Sequence, residues 1–183
     1  MIENGSQPVS ILPLTEFKLN KSATKDFDCG DQFLNDFLQK QCAKKVKADL
    51  IRGNVAVLVD RVVGYITLQV HCLEKGYFEK EKGLPRQVPV LMIDQVAIDK
   101  NFQGRGIAKD LLSRAFHSAI IVGREAGLKG VTLWSHPRAL GFYKLIGMEP
   151  INSKSINDIE LTLMYINIAT IEAAVSDTEL KGA

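Results

Sequence analysis

The stretch PVLMIDQVAIDKNFQGRGIAKDLLSRAF, Pro89 to Phe116, decides how this chain folds. Val88 to Ile98 is almost continuously apolar, the pattern of a strand covered on both faces. The polar turn Asp99-Lys100 and then Gln103-Gly104-Arg105-Gly106 follow it. Beyond them Ile107, Leu111, Leu112, Ala115, Ala119 and Val122 recur at helical spacing, until Gly127 ends the helix. Glycines let a backbone turn sharply and approach a ligand, and successive amides at a helix N-terminus make a concavity that favours anions. The turn lacks the Gly-Lys-Ser/Thr ending of a Walker loop. Lys109 stands where a dinucleotide fingerprint needs its third glycine. The turn is thus a nest suited to a pyrophosphate, or a plain strand-to-helix connection.

Working outward, Val9 to Leu14 is a short apolar segment with a proline, the mark of an edge strand. Asp26 to Asp31 is turn-like and supplies N-caps for a helix from Gln32. There Phe33, Leu34, Phe37, Leu38, Cys42, Ala43 and Val46 form the expected apolar face. Lys40, Lys44, Lys45 and Lys47 lie on the polar side, with Arg52 just beyond: a solvated helix face, or a small basic surface for phosphates. Asn54 to Asp60 and Val62 to His71 read as a hairpin turning at Asp60-Arg61. Glu74 to Gln87, with Glu79, Lys80, two glycines and Pro85, reads as a loop. Gly130 to Ser135 is a further strand, and a short helix runs from about Arg138 to Leu145 before Gly147. Asp158 to Ile168 is a last strand, and Ala169 to Leu180 a helix with a fraying end. The expected fold is α/β (α+β), with helices flanking a mixed, mostly antiparallel sheet. One domain spans residues 1–183, with 169–183 as a C-terminal extension.

Composition sets outer bounds. A formal net charge of +2 carries no global nucleic-acid signal. Cys29, Cys42 and Cys72 form no C-x-x-C pair, which suits reduced thiols in a cytoplasmic protein and argues against disulfides or a zinc site. His71, His117 and His136 lack metal-ligand spacing, so no metal is expected. Residues Met1 to Ser10 are polar and no run of about 18 apolar residues occurs, so no signal peptide and no membrane span are expected.

Val96-Ala97-Ile98-Asp99 followed by Gln103-x-x-Gly106-x-Ala108 resembles the acetyl-CoA signature of the GNAT superfamily of N-acetyltransferases. Ala139-Leu140-Gly141-Phe142-Tyr143-Lys144-Leu145-Ile146-Gly147-Met148 resembles that family's second signature, with Met148 replacing the usual Phe, a volume-tolerant change. Phe27-Asp28-Cys29-Gly30 with Leu34-Asn35-Asp36-Phe37-Leu38 and Ala43 is similar to the start of the acetyltransferase toxins of bacterial toxin–antitoxin pairs. That resemblance reaches to about Pro150. It implies a GNAT fold, acetyl-CoA as donor, the α-amine of aminoacyl-tRNA as acceptor, a cognate antitoxin and a homodimer.

Carried onto this sequence, it implies that main-chain groups of Val96, Ala97 and Ile98 pair with the pantetheine arm. Amides of Gln103, Gly104, Arg105, Gly106, Ile107 and Ala108 hold the pyrophosphate, Arg105 adds charge, and Phe142 belongs to the cofactor set. Tyr143 protonates the leaving thiolate, a role suited to a phenol with a pKa of about 10. An α-amine titrates near about 8 and needs little help from a base. Asp94 or a bound water would suffice, and the lack of an obvious carboxylate base favours such an acceptor over a lysine side chain. Lys40, Lys44, Lys45, Lys47 and Arg52 are the candidates for the tRNA backbone. His136 is a local hydrogen-bonding residue or part of the acceptor cleft, and Trp134 is packing or stacking. The alternatives are a GNAT enzyme for a small amine or a protein N-terminus, and a non-catalytic acetyl-CoA-binding module.

Overall fold

The computed structural model describes residues 8–78 and 81–181, with side chains placed up to 175. The polar stretch 1–7, the loop residues Glu79 and Lys80 and the acidic side chains of Asp177 and Glu179 lie outside the described residues. Seven strands make one sheet: β1 Ser10–Pro13, β2 Arg52–Leu58, β3 Arg61–Glu74, β4 Gln87–Ile98, β5 Gly130–Ser135, β6 Glu149–Ile156 and β7 Ile159–Asn167. Their order is β1-β2-β3-β4-β5-β7-β6. β1–β2, β2–β3, β5–β7 and β6–β7 pair antiparallel, and β4–β5 parallel, giving the mixed, mostly antiparallel sheet expected. The helices are α1 Lys21–Thr24, α2 Gln32–Asp36, α3 Ala43–Lys47, α4 Ile107–Ala126, α5 Leu140–Leu145 and α6 Ile168–Lys181. The chain divides into two compact units, Met1–Gln69 with Gln95–Ala115 and Val70–Asp94 with Phe116–Ala183.

In the first unit the N-terminal helices pack on β2 and β3 through Phe27, Phe37, Leu38, Cys42, Val55, Val57 and Tyr65. Tyr65 is fully buried between Phe27 and Phe37, with ring centroids at 5.7 and 6.1 Å. Its hydroxyl donates to Leu34 O at 2.8 Å, which satisfies the one polar atom that burial would otherwise orphan. Asp31 caps α2 as expected, its Oδ1 accepting from the amides of Phe33 (2.9 Å) and Leu34 (3.3 Å). Removing that cap in Asp31→Ala lowers stability by about 1 kcal/mol. In thermal unfolding this reads as a drop of about 2–4 °C, for a chain of this size.

The helix after the cap departs from the regular spacing read from the sequence. Phe37–Cys42 is a π segment between α2 and α3. Its i→i+5 bonding brings Phe37 and Cys42, five residues apart, onto one buried side. Phe33, expected in the core, is 65% exposed, and Ala43 is exposed too, because the buried side runs through Asn35, Phe37, Leu38 and Cys42.

The β2–β3 hairpin turns one residue earlier than expected. Val59 and Asp60 both adopt positive φ (48° and 63°), the geometry of a primed two-residue turn. In the second unit, Leu73, Phe78, Val88, Val90, Leu163 and Tyr165 form a separate cluster. The loop after β3 contributes Tyr77, Phe78 and Leu84 to it, so this polar-looking segment is anchored by its few apolar residues. The strand β6 is absent from the sequence reading. It is an exposed, polar edge strand with Pro150 at a register shift, so it has no buried face to leave an alternating pattern. Its signal lay in Asn157-Asp158, both at positive φ (49° and 62°), a hairpin turn before β7.

Candidate functional site

In the first unit β4 delivers the chain to the glycine turn. Asp99 is 3% exposed, and its amide donates to Val63 O at 2.9 Å, carrying β4's attachment one residue beyond the strand. A short 3₁₀ turn, Lys100–Phe102, follows with Asp99 as its cap. Gly104 and Gly106 sit at φ 75° and 84°, a left-handed conformation that L side chains rarely adopt. The first amide to join the α4 ladder is that of Lys109, donating to Gly106 O at 2.9 Å, so the amides of Gly104 to Ala108 come before it. The six residues named from sequence, Gln103 to Ala108, therefore run through the glycine turn into the first two residues of a 20-residue helix. Arg105 lies over the Phe102 ring, 4.9 Å from its centroid, which keeps its cation at this turn.

Along β4 the parallel register with β5 covers Leu91↔Val131 and Met92↔Thr132. β4 itself runs on through Val96, Ala97 and Ile98, beyond that pairing. A strand that outruns its parallel neighbour offers main-chain groups to an extended ligand.

The second unit carries the second signature. Tyr143 on α5 is 6% exposed, and burial pushes its phenol up to about 12. It stays protonated at any physiological pH, so its hydroxyl is available to donate a proton. Phe142 packs edge-on against it, with centroids 5.4 Å apart. Met148 is buried, and its amide donates to Tyr143 O at 3.0 Å, closing the turn at Gly147. His136 Nδ1 accepts from Arg138 N at 3.2 Å and caps a 3₁₀ turn, a local role. Trp134 packs beside the second cluster under Lys154, whose ammonium is 3.9 Å from the ring centroid. Asp94 is half-buried on β4.

The five basic residues are not equivalent. Lys40 is paired with Asp36 at 2.9 Å, and Lys45 lies 5.3 Å from the Phe37 ring centroid. Arg52 is paired with Asp49 and also donates to Val46 O and Ile51 O. Lys44 and Lys47 are exposed and have no ion pair among the described residues. Lys47 and Arg52 line an open cavity of about 360 Å³ with Leu14, Phe17 and Val46. Cys29, Cys42 and Cys72 are free thiols, and burial pushes Cys42 up to about 12.

Sequence reasoning read Asp28 and Cys29 as part of a capping turn, and Asp28, Cys29 and Asn35 as part of a family mark, with no link to the glycine turn. The structure ties them to the segment that leads into the glycine turn. Asn35, 7% exposed, accepts from Cys29 N and donates to Asp28 Oδ1, both at 3.0 Å. Asp28 N donates to Asp99 Oδ2 at 3.1 Å, and Lys100 Nζ donates to Asp28 Oδ2 at 2.5 Å. The Lys100 ammonium, the Gly30 amide and the Asn35 amide together hold the Asp28 carboxyl down to about 2. It is therefore ionised, and accepting, at every pH near neutrality.

The first unit carries a glycine turn at a helix N-terminus and the second a buried, protonated tyrosine, features of the kind that acyl-CoA-dependent transfer needs. The sequence profile of the GNAT acetyltransferase domain matches residues 52–149, more than half of the chain, and the chain belongs to that family. A tRNA-acetylating toxin of Mycobacterium tuberculosis (strain ATCC 25618 / H37Rv) is 28% identical over 122 residues, 64% of this chain and 72% of that one. Two solved structures share the fold. AtaT complexed with acetyl-methionyl-tRNAfMet has a TM-score of 0.78 at 22% identity, covering 92% of this chain and 99% of that one. A tyrosine-to-phenylalanine mutant of AtaT bound to acetyl-CoA and the C-terminus of the antitoxin AtaR has a TM-score of 0.75 at 22% identity, covering 93% and 99%. Among the described residues, no helix is long and apolar enough to cross a membrane.

Proposed function

We propose that this chain is a toxin-type N-acetyltransferase that moves acetyl from acetyl-CoA to the α-amine of aminoacyl-tRNA. Translation then stalls, because an acetylated amine cannot attack a peptidyl ester. The similarity to a curated tRNA-acetylating toxin over 64% of this chain carries the choice of acceptor. The pantetheine arm pairs with the main chain of Val96, Ala97 and Ile98, and the amides from Gln103 to Ala108 receive the pyrophosphate. Arg105 adds its charge there, and Phe142 packs on the catalytic tyrosine. The neutral α-amine attacks the thioester carbonyl and the C–S bond breaks; Tyr143 gives its proton to the departing thiolate, and the proton shed by the amine nitrogen passes to Asp94 or a bound water. Lys44 and Lys47, together with Lys40, Lys45 and Arg52, hold the tRNA backbone.

A cognate antitoxin binds and silences the enzyme in the cytoplasm, as the complex of AtaT with the C-terminus of AtaR suggests by analogy. A homodimer fits the exposed apolar residues on α5 and the β6–β7 turn, Leu145 (89% exposed), Ile156 and Ile159. The direct test mixes the protein with acetyl-CoA and a full set of charged tRNAs, then digests them and weighs the aminoacyl adenosines. Acetylated aminoacyl adenosine is expected for a subset of tRNAs. Acetylation only of free amines or of peptide N-termini selects the small-amine or protein reading instead.

A further inference from the structure

We propose that Asp28 and Asn35 are positioning residues for the pyrophosphate-binding turn, and that the Asp28-Cys29-Gly30…Asn35 pattern serves the donor side of the reaction and not acceptor choice. The proposal rests on the acetyl-CoA reading above. Its ground is a set of bonds that all converge on the segment feeding Gly104 and Gly106. Asp28 N donates to Asp99 Oδ2 (3.1 Å), Lys100 N donates to Asp28 O (2.9 Å), and Lys100 Nζ donates to Asp28 Oδ2 (2.5 Å). Gln103 Nε2 donates to Cys29 O (3.3 Å) and to Ile98 O (3.0 Å), so it bridges the N-terminal segment and the end of β4. Asp99 Oδ1 accepts from the amide and the side chain of Asn101 at 2.9 and 3.1 Å.

Asn35 is the keystone of the N-terminal side. Nearly buried, it holds the Cys29 amide with its oxygen and the Asp28 carboxylate with its nitrogen. Gly30 N also donates to Asp28 Oδ1, at 2.9 Å, which fixes that carboxylate from a second direction. The physical need is plain. A turn with two glycines in the left-handed region has little side-chain packing of its own, and ordering each backbone residue costs about 1–2 kcal/mol. If the turn is held in its binding shape before the ligand arrives, that cost does not fall on the binding step. α4 fixes the turn from its C-terminal side, and the Asp28–Asn35 bonds fix it from the N-terminal side.

The test compares donors. Acetyl-CoA carries the pyrophosphate, and acetyl-pantetheine keeps the arm and the thioester but lacks it. Asn35→Ala is expected to raise KM for acetyl-CoA about tenfold, with kcat within about twofold. Its kcat/KM with acetyl-pantetheine and its KM for the acceptor stay at the wild-type values. Asn35→Asp, of the same shape, loses the donated bond and faces Asp28 with a like charge. It serves as a second variant if the alanine form folds poorly, and the same split is expected. A raised acceptor KM with an unchanged acetyl-CoA KM overturns the proposal, as does an equal loss with both donors. Failure of the wild-type protein to bind acetyl-CoA at all would instead overturn the underlying cofactor reading.

Discussion

Tyr143→Phe lowers kcat for acetyl transfer by about 10²- to 10⁴-fold, the usual worth of a positioned general acid. Acetyl-CoA binding, measured by calorimetry, stays within about twofold, because the ring and its packing against Phe142 survive. Only the phenolic hydroxyl is removed. Expressed without an antitoxin, the wild-type enzyme is expected to arrest growth and the variant is not. Undiminished transfer by a folded Tyr143→Phe protein would remove the tyrosine from the mechanism. The pH profile provides a second readout. Tyr143 acts in its protonated form, and burial has raised its pKa to about 12, so raising the pH does not disarm it in the ordinary working range. With an acceptor whose aminoacyl link is an alkali-stable amide, kcat/KM rises through the amine pKa near about 8 and holds to about pH 10 without a falling limb. A falling limb centred below about pH 9 would mean that the proton donor is some other group.

The double charge reversal Lys44→Glu/Lys47→Glu lowers kcat/KM for aminoacyl-tRNA by about ten- to a hundredfold at low salt, and lessens the salt slope by roughly two. Lys44 and Lys47 are chosen because both are exposed and neither has an ion pair among the described residues. Lys40 and Arg52 already have carboxylate partners, so reversing them also disturbs Asp36 and Asp49. Both lysines lie on α3, away from the residues of the cofactor turn in the sequence, and acetyl-CoA affinity is expected to hold. Filter binding across a salt series measures the slope. Wild-type activity on tRNA in the double variant would take this surface out of the acceptor path.

Much of the β4–α4 segment was legible in the residues. The apolar run of β4, the paired glycines and the heptad-like stripe of α4 are local signals, and each formed where its pattern predicted. The Ala139 to Met148 signature likewise placed Tyr143 on a short helix ended by a glycine. β6 left no such trace, since an exposed edge strand buries no face. The π segment was invisible for a related reason. Its spacing of five serves one packing surface, whereas sequence periodicity is read against the 3.6 of a regular helix.

The sequence by itself therefore determined the family and the elements that carry its signatures, because glycine conformation, helix amphipathicity and strand patterning are set by neighbouring residues. Only the tertiary structure decided what Asp28 and Asn35 are bonded to. Their bonds run to Asp99, Lys100 and, through Cys29, to Gln103, some seventy residues along the chain (|i−j| of 71, 72 and 74). No local pattern encodes a hydrogen bond across that distance. It exists because the buried face of the N-terminal helices packs on β3 around Tyr65, and this brings Asp28 to the end of β4.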